Sequence, residues 1–235
     1  MSLPPNVHVS SHPCLQAKLS LIRSSSTTPR ETRGLVHDLA NILGVEAFAG
    51  LKLVKTGTDK TPLGIEYETQ GIDPADLALV PILRSGLGMV DALNDLLPTP
   101  VPVYHLGLFR EKVTLQPVEY YNNLPFSRSE LSPASPASLD PTANTAAASL
   151  AVLLDPVIAT GATAEAAILL LRDWGVKKVI MLSLIASGEG LKRAAGTWED
   201  VEVWVGAVDK GVDEKGMIVP GIGDIGDRLF VAIGK

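Results

Sequence analysis

Val152-Leu153-Leu154-Asp155-Pro156-Val157-Ile158-Ala159-Thr160-Gly161-Ala162-Thr163 decides the fold by the order of its residue types. The apolar run is long enough for a buried strand and ends at an acid, Asp155. A short loop of small residues follows, and Ala164 to Arg172 then reads as a helix. A strand that passes through a Thr/Gly loop into a helix leaves backbone N–H groups unpaired at the helix start, where the helix dipole adds partial positive charge. Such a join is a phosphate seat. Gly161 lets backbone approach an anion, and Thr160 and Thr163 offer hydroxyl donors. The Asp155 carboxylate repels phosphate but suits sugar hydroxyls or a metal. No Lys follows the glycine, so this is not a Walker A loop, and it is not G-x-G-x-x-G.

Around that stretch, the 235 residues suit one domain, or one domain with a small attachment. Hydrophobic residues make up 46%, ample for a core, and aromatics only 5%, with Ala, Leu, Val and Gly prominent as in parallel α/β sheets. No apolar run is long enough to cross a membrane, and the N-terminus lacks the pattern of a secretory signal. Cys14 is the only cysteine, so no disulfide can form within the chain, and a reducing cytoplasm is the expected compartment. The net charge of -6 argues against nucleic acid as a partner, although a small polyanion can still be held locally by a few arginines, backbone N–H groups and Mg²⁺.

Towards the N-terminus, Leu15, Leu19 and Ile22 share a helical face between Ser11 and Arg23. Thr28-Pro29-Arg30-Glu31 reads as a capping box with proline at the first helical position. The helix that follows turns Leu35, Leu39, Ile42 and Leu43 inward and is expected to stop near Gly44. Arg23, Arg30, Arg33 and His37 are expected on solvent faces. Residues 45 to 75 show turns and one strand signal, at Ile65 to Thr69.

Leu77 to Val80 is a strand that runs into Pro81-Ile82-Leu83-Arg84-Ser85-Gly86-Leu87-Gly88 and a helix from Met89 to Leu97. This second strand–loop–helix join carries Arg84, a residue type suited to phosphate recognition. Val101 to Leu108 reads as a strand, followed by the charged Phe109-Arg110-Glu111-Lys112 loop, which has the character of a lid. Ser127 to Ala148, rich in Ser, Pro and Ala, reads as a flexible insertion. Beyond the central helix, which Gly175 ends, Lys177 to Ile185 and Val201 to Val205 are strands, and Ala186-Ser187-Gly188 opens a short helix. Alternating strands and helices imply parallel pairing, with ligands at the carboxyl ends of the strands. The loops at Arg84, Arg110, Asp155 and Ser187 all follow strand ends. Near the C-terminus, Pro220-Gly221-Ile222-Gly223-Asp224-Ile225-Gly226-Asp227-Arg228 is a tight loop whose exposed backbone can read a small planar base.

Taken together, these phrases resemble the type I phosphoribosyltransferases, and the uracil phosphoribosyltransferases among them. The family's loop for phosphoribosyl pyrophosphate (PRPP) has two acids and then Thr-Gly-Gly-Thr; proline after the first acid, here Pro156, is the habit of the uracil branch. Ala162 departs from the second glycine, at an expected cost in backbone freedom. The resemblance covers nearly the whole chain outside Ser127–Ala148. It implies an α/β fold of the type I phosphoribosyltransferase kind: a mostly parallel central sheet flanked by helices, a β-arm near residues 109 to 121 and a small C-terminal hood over the base. It implies a reaction of uracil with PRPP to UMP and pyrophosphate, with Mg²⁺. PRPP would meet Arg84, Arg110, Asp155, Pro156, Val157, Ile158, Ala159, Thr160, Gly161, Ala162, Thr163 and Asp224. Uracil would meet Ile218, Gly223, Asp224 and Ile225. Arg84, Arg110, Asp155 and Asp224 are the expected catalytic set. A homodimer or homotetramer and a GTP effector, as in some relatives, accompany the resemblance. A non-catalytic PRPP or nucleotide sensor on the same fold is the alternative.

Overall fold

A computed structural model describes residues 2–111, 116–125 and 148–231. It begins with strand β1 (Val7–Val9) and helix α1 (Pro13–Arg23), which buries Leu15, Leu19 and Ile22 at the expected spacing. Helix α2 (Pro29–Phe48) opens with the capping box: Thr28 Oγ1 accepts from the Glu31 amide, and the Glu31 carboxylate accepts from the Thr28 amide. Strands β2 (Lys52–Lys60) and β3 (Glu66–Asp73) pair with each other as an antiparallel hairpin apart from the main sheet. Sequence signals show only part of β3, because nearly every position of the hairpin is exposed and no buried face imposes alternation.

Strand β4 (Leu77–Leu83) leads into helix α3 (Leu87–Leu96). Gly44, expected to end α2, instead lies inside it, and the helix continues to Phe48. A Cβ on Gly44 would stand 2.6 Å from Leu93 Cδ1, so the glycine serves the close approach of α2 to α3. Strands β5 (Leu106–Arg110) and β6 (Pro117–Asn122) pair antiparallel. The strand expected from Val101 thus starts at Leu106, with Val103 making only an isolated bridge to Leu79.

The remaining elements are β7 (Leu150–Leu154), β8 (Val157–Ile158), α4 (Ala162–Trp174), β9 (Lys178–Ser187), α5 (Gly188–Gly196), β10 (Val201–Asp209), the short pair β11 (Gly211–Val212) and β12 (Ile218–Val219), and α6 (Ile225–Phe230). The main sheet runs β1-β10-β9-β7-β4-β5-β6, with β8 also on β9. Every pairing in it is parallel except that of β5 with β6. Strand alternation feeds two cores. Leu150, Val152 and Leu154 pack with the apolar faces of α1, α2 and α3, while Ala151 and Leu153 pack with those of α4 and α5. A strand covered on both faces reads as an unbroken apolar run, which is why the 152–154 segment shows no alternation in sequence.

The segment Ser127–Ala148 falls outside the described residues except for Ala148, as do residues 112–115 of the expected lid. Among the described residues no helix is long and apolar enough to cross a membrane.

Candidate active site

Parallel strands β4, β7 and β9 end on the same edge of the sheet, and a cavity of about 270 Å³ opens there. Most of its wall comes from three distant parts of the chain: Ile82 and Leu83 at the end of β4 with Ser85 after it; Asp155 and Val157–Gly161 with Thr163 after β7; and Gly216–Ile218 with Ile222–Ile225 near the C-terminus, with Leu108 of β5 and Ile185 of β9 adding to it.

Asp155 follows β7 directly and is buried. Burial pushes its carboxyl up to about 7, against the opposing pull of hydrogen bonds from the Val157 amide and the Ser85 hydroxyl. Ser85 Oγ donates to Asp155 Oδ1 at 3.3 Å. This serine lines the cavity beside Asp155, a role that sequence reading did not assign.

Gly161 caps α4 in the left-handed region (φ 78) and carries no side chain to occupy the helix start. The N–H groups of the first turn therefore have no side-chain cap from Gly161, and such a helix start is suited to an anion. A Cβ at Gly161 would lie 2.6 Å from the Gly190 carbonyl oxygen, so close packing against α5 also requires glycine. Ser187 supports the same loop: its Oγ donates to the Ala159 carbonyl at 2.6 Å and accepts from the Gly190 amide at 2.9 Å. Thr160 and Thr163 line the cavity, whereas Pro156 and Ala162 do not. The expected cost in backbone freedom at Ala162 does not arise. The left-handed residue is Gly161, and Ala162 is the first, buried residue of α4, where alanine is the best of helix formers.

Arg84 stands apart from the cavity wall. Its guanidinium, about half exposed, donates to Asp227 Oδ1 at 3.1 Å. Arg110 is the last residue of β5, with its backbone opposite Pro117; its side chain is outside the described residues.

Ile218, Gly223, Asp224 and Ile225 all line the cavity, joined by Met217 and Ile222. Asp224 is the N-cap of α6 and accepts from the Asp227 amide at 3.0 Å. Arg23, expected in solvent, instead forms a two-pronged ion pair with Asp209, with Nη1 to Oδ2 at 2.8 Å and Nη2 to Oδ1 at 2.6 Å. No sequence signal links these residues, because the pairing spans almost the whole chain. Arg30 and Arg33 are exposed as expected, and His37 is half-buried.

Among the described residues no three His, Cys, Asp or Glu side chains gather as a metal cage. The cavity does offer two carboxylates, Asp155 and Asp224. That donor set fits Mg²⁺, which keeps several waters and binds through one or two carboxylates together with substrate phosphates.

Known proteins share this chain's sequence and fold. The family model for uracil phosphoribosyltransferase matches residues 9–232. The uracil phosphoribosyltransferase of Roseiflexus castenholzii is 41% identical over 224 residues, 95% of this chain and 97% of that protein. That of Desulfitobacterium hafniense is 38% identical over the same shares. A solved structure of a protein from Aquifex aeolicus is 30% identical and superposes with a TM-score of 0.80, covering 96% of this chain and 98% of that one.

Proposed function

The chain belongs to the uracil phosphoribosyltransferase family, and we infer from that membership that it is a pentosyltransferase converting uracil and PRPP to UMP and pyrophosphate. The observation that carries the reading is the shared cavity. The Thr/Gly loop after β7 and the glycine-rich C-terminal loop, far apart in sequence, form walls of one space. A phosphate seat and a base-sized backbone loop around one cavity suit a reaction that joins a sugar phosphate to a base.

In this reading the 5′-phosphate rests on the backbone of Ala159–Thr163 at the α4 N-terminus. Asp155 accepts from the ribose hydroxyls and so fixes the sugar, with C1 turned towards the base. The bond from C1 to pyrophosphate breaks with oxocarbenium character, and negative charge gathers on the leaving group. Arg84 and Arg110 stabilise that charge. Mg²⁺, when bound with PRPP, supplies further neutralisation of the pyrophosphate, with Asp155 and Asp224 as the available carboxylates. Backbone groups of Ile218, Gly223, Asp224 and Ile225 read the uracil edge. Asp224 already accepts from the Asp227 amide as a helix cap, which supports a positioning role for it over proton abstraction.

We further propose that the protein acts in the cytoplasm as one domain and assembles as a homodimer or homotetramer. Exposed Leu53, Ile65 and Tyr67 on the β2–β3 hairpin, and Tyr120 and Tyr121 on β6, support self-association. GTP as an effector rests on family resemblance and is tested by adding GTP to the rate assay.

The deciding experiment is UMP formation from PRPP and Mg²⁺ with uracil, cytosine, hypoxanthine and orotate as parallel bases. Turnover with uracil alone is expected. PRPP binding without turnover on any base would overturn the enzyme reading in favour of a sensor, which no feature of the geometry favours.

A further inference from the structure

We propose that the Arg23–Asp209 ion pair, helped by Arg228, is the positioning device that holds the base-reading loop, and that it sets uracil affinity and selectivity without touching substrate. The proposal rests on the reading that residues 218–225 receive the base.

Asp209 ends β10, where its backbone is in register with Ser187 of β9, so its carboxylate is anchored to the main sheet. The side chain is almost fully buried. Its Oδ2 accepts from the Gly221 amide at 2.9 Å as well as from Arg23 Nη1. The same Arg23 nitrogen donates to the Gly221 carbonyl at 2.9 Å. Both backbone polar groups of Gly221 are thus tied to one ion pair. Gly221 is left-handed (φ 67), and a Cβ there would fall 2.2 Å from the Ile218 carbonyl oxygen. The turn it makes links Ile218 to Ile222 and Gly223, all three in the cavity wall. Arg228 holds the next residue: Nη1 donates to the Ile222 carbonyl at 2.7 Å and to the Ile22 carbonyl at 2.6 Å, and Nη2 reaches the Ser24 carbonyl at 3.2 Å.

The need for such anchors follows from what lies behind the loop. A second cavity, about 450 Å³, is lined by Arg23, Ser24 and Arg228 and by Ile222, Gly223 and Asp224. These last three residues also line the first cavity, so the base loop is a partition between two spaces. Ile218, Ile222 and Ile225 pack into the core, and the directional hydrogen bonds to Gly221 and Ile222 fix the orientation of the backbone between them. The planar arginine fork does so without a flexible joint. Neither Arg23 nor Asp209 lines the first cavity. Loss of the pair therefore acts on the base through Gly221 and leaves the phosphate seat after β7 intact.

The test compares Asp209→Asn, Arg23→Met and Arg23→Lys with the wild-type protein. Measured are KM for uracil, Kd for PRPP by calorimetry, the rate ratio of uracil to cytosine, and hydrogen exchange of residues 218–225. Expected in Asp209→Asn and Arg23→Met is a rise in uracil KM on the order of ten-fold, the scale of one lost charged hydrogen-bond anchor, with a several-fold smaller change in PRPP Kd, to which this loop gives only Asp224, and faster exchange confined to the loop. Arg23→Lys, which keeps the charge but not the fork, is expected to fall between. If the stronger variants do not fold, Arg23→Lys decides by the same split. Uracil KM and PRPP Kd rising in step, or uracil KM unchanged, would overturn the proposal. A wild-type protein inactive on uracil would instead overturn the base-loop reading itself, and this proposal with it.

Discussion

The guanidinium of Arg84 donates to the carboxylate of Asp227 at 3.1 Å, across 143 positions of sequence. The Asp227 amide in turn is capped by Asp224 in the cavity wall. The loop that follows β4 is thereby tied to the C-terminal loop, so the groups proposed to meet pyrophosphate and uracil share one chain of hydrogen bonds. The pair is partly exposed, and such ion pairs contribute only about 0–1 kcal/mol to folding. Its consequence is orientation.

Arg84→Ala is expected to lower kcat/KM by roughly 10²-fold or more, the scale for removing a donor that meets developing charge, with little change in Tm. Asp227→Asn should keep folding stability and cost less activity than Arg84→Ala, because the arginine itself remains. Steady-state kinetics with thermal melts check both. An Asp227→Asn enzyme as impaired as Arg84→Ala would mean that the arginine works only through its acid partner.

Asp155 makes stability depend on pH. Its folded carboxyl titrates near 7, whereas an unfolded one titrates near 3.8. Between those values the unfolded chain has released the proton while the folded protein keeps it, so stability falls as pH rises through this window and levels off above about pH 7. The full effect is up to about 4 kcal/mol, from roughly 1.4 kcal/mol per unit of pKa difference. Asp155→Asn should remove that slope and exceed the wild-type protein in stability above pH 7, while losing ribose binding. Denaturant titrations at pH 5 and pH 8 read it; parallel slopes for the two proteins would contradict the assignment.

The loop after β7 allows a contrast between neighbours. Gly161→Ala places a Cβ against the Gly190 carbonyl in a left-handed residue, and a loss of about 1–3 kcal/mol together with loss of PRPP binding is expected. Ala162→Gly restores the family's usual residue but should bring no gain in PRPP affinity and a stability cost of up to about 1 kcal/mol, since Ala162 is already helical. Calorimetry with PRPP distinguishes the two.

Packing of α2 on α3 is the subject of the last prediction. Gly44→Val inserts methyl groups where Leu93 Cδ1 and Leu96 Cδ2 already lie within 3.0 Å of an added Cβ. Overpacking on this scale costs about 1–3 kcal/mol. The melting temperature should fall while KM for both substrates holds, because the contact is remote from the cavity wall.

Much of this architecture could be read from local sequence. The Thr28–Glu31 box, the Leu15-Leu19-Ile22 face, the apolar run into Asp155 and Gly175 after α4 are patterns complete within a few residues, since capping and periodicity act over one or two helical turns. The β2–β3 hairpin was only half legible because it lacks a buried face, and Gly44 read as a stop because a glycine shows its packing partner only once the other helix is in position.

By itself the sequence determined the strand–loop–helix joins, the parallel α/β class and the Thr/Gly and Gly/Asp loops that line the cavity. Tertiary structure alone decided that Arg23 leaves solvent for Asp209, that Ser85 meets Asp155, that Arg84 meets Asp227 and that Ser187 supports Ala159. Each of these pairs joins chain segments 28 or more positions apart. Side-chain hydrogen bonds at such separations leave no periodic trace, because what brings the partners together is the order of strands in the sheet.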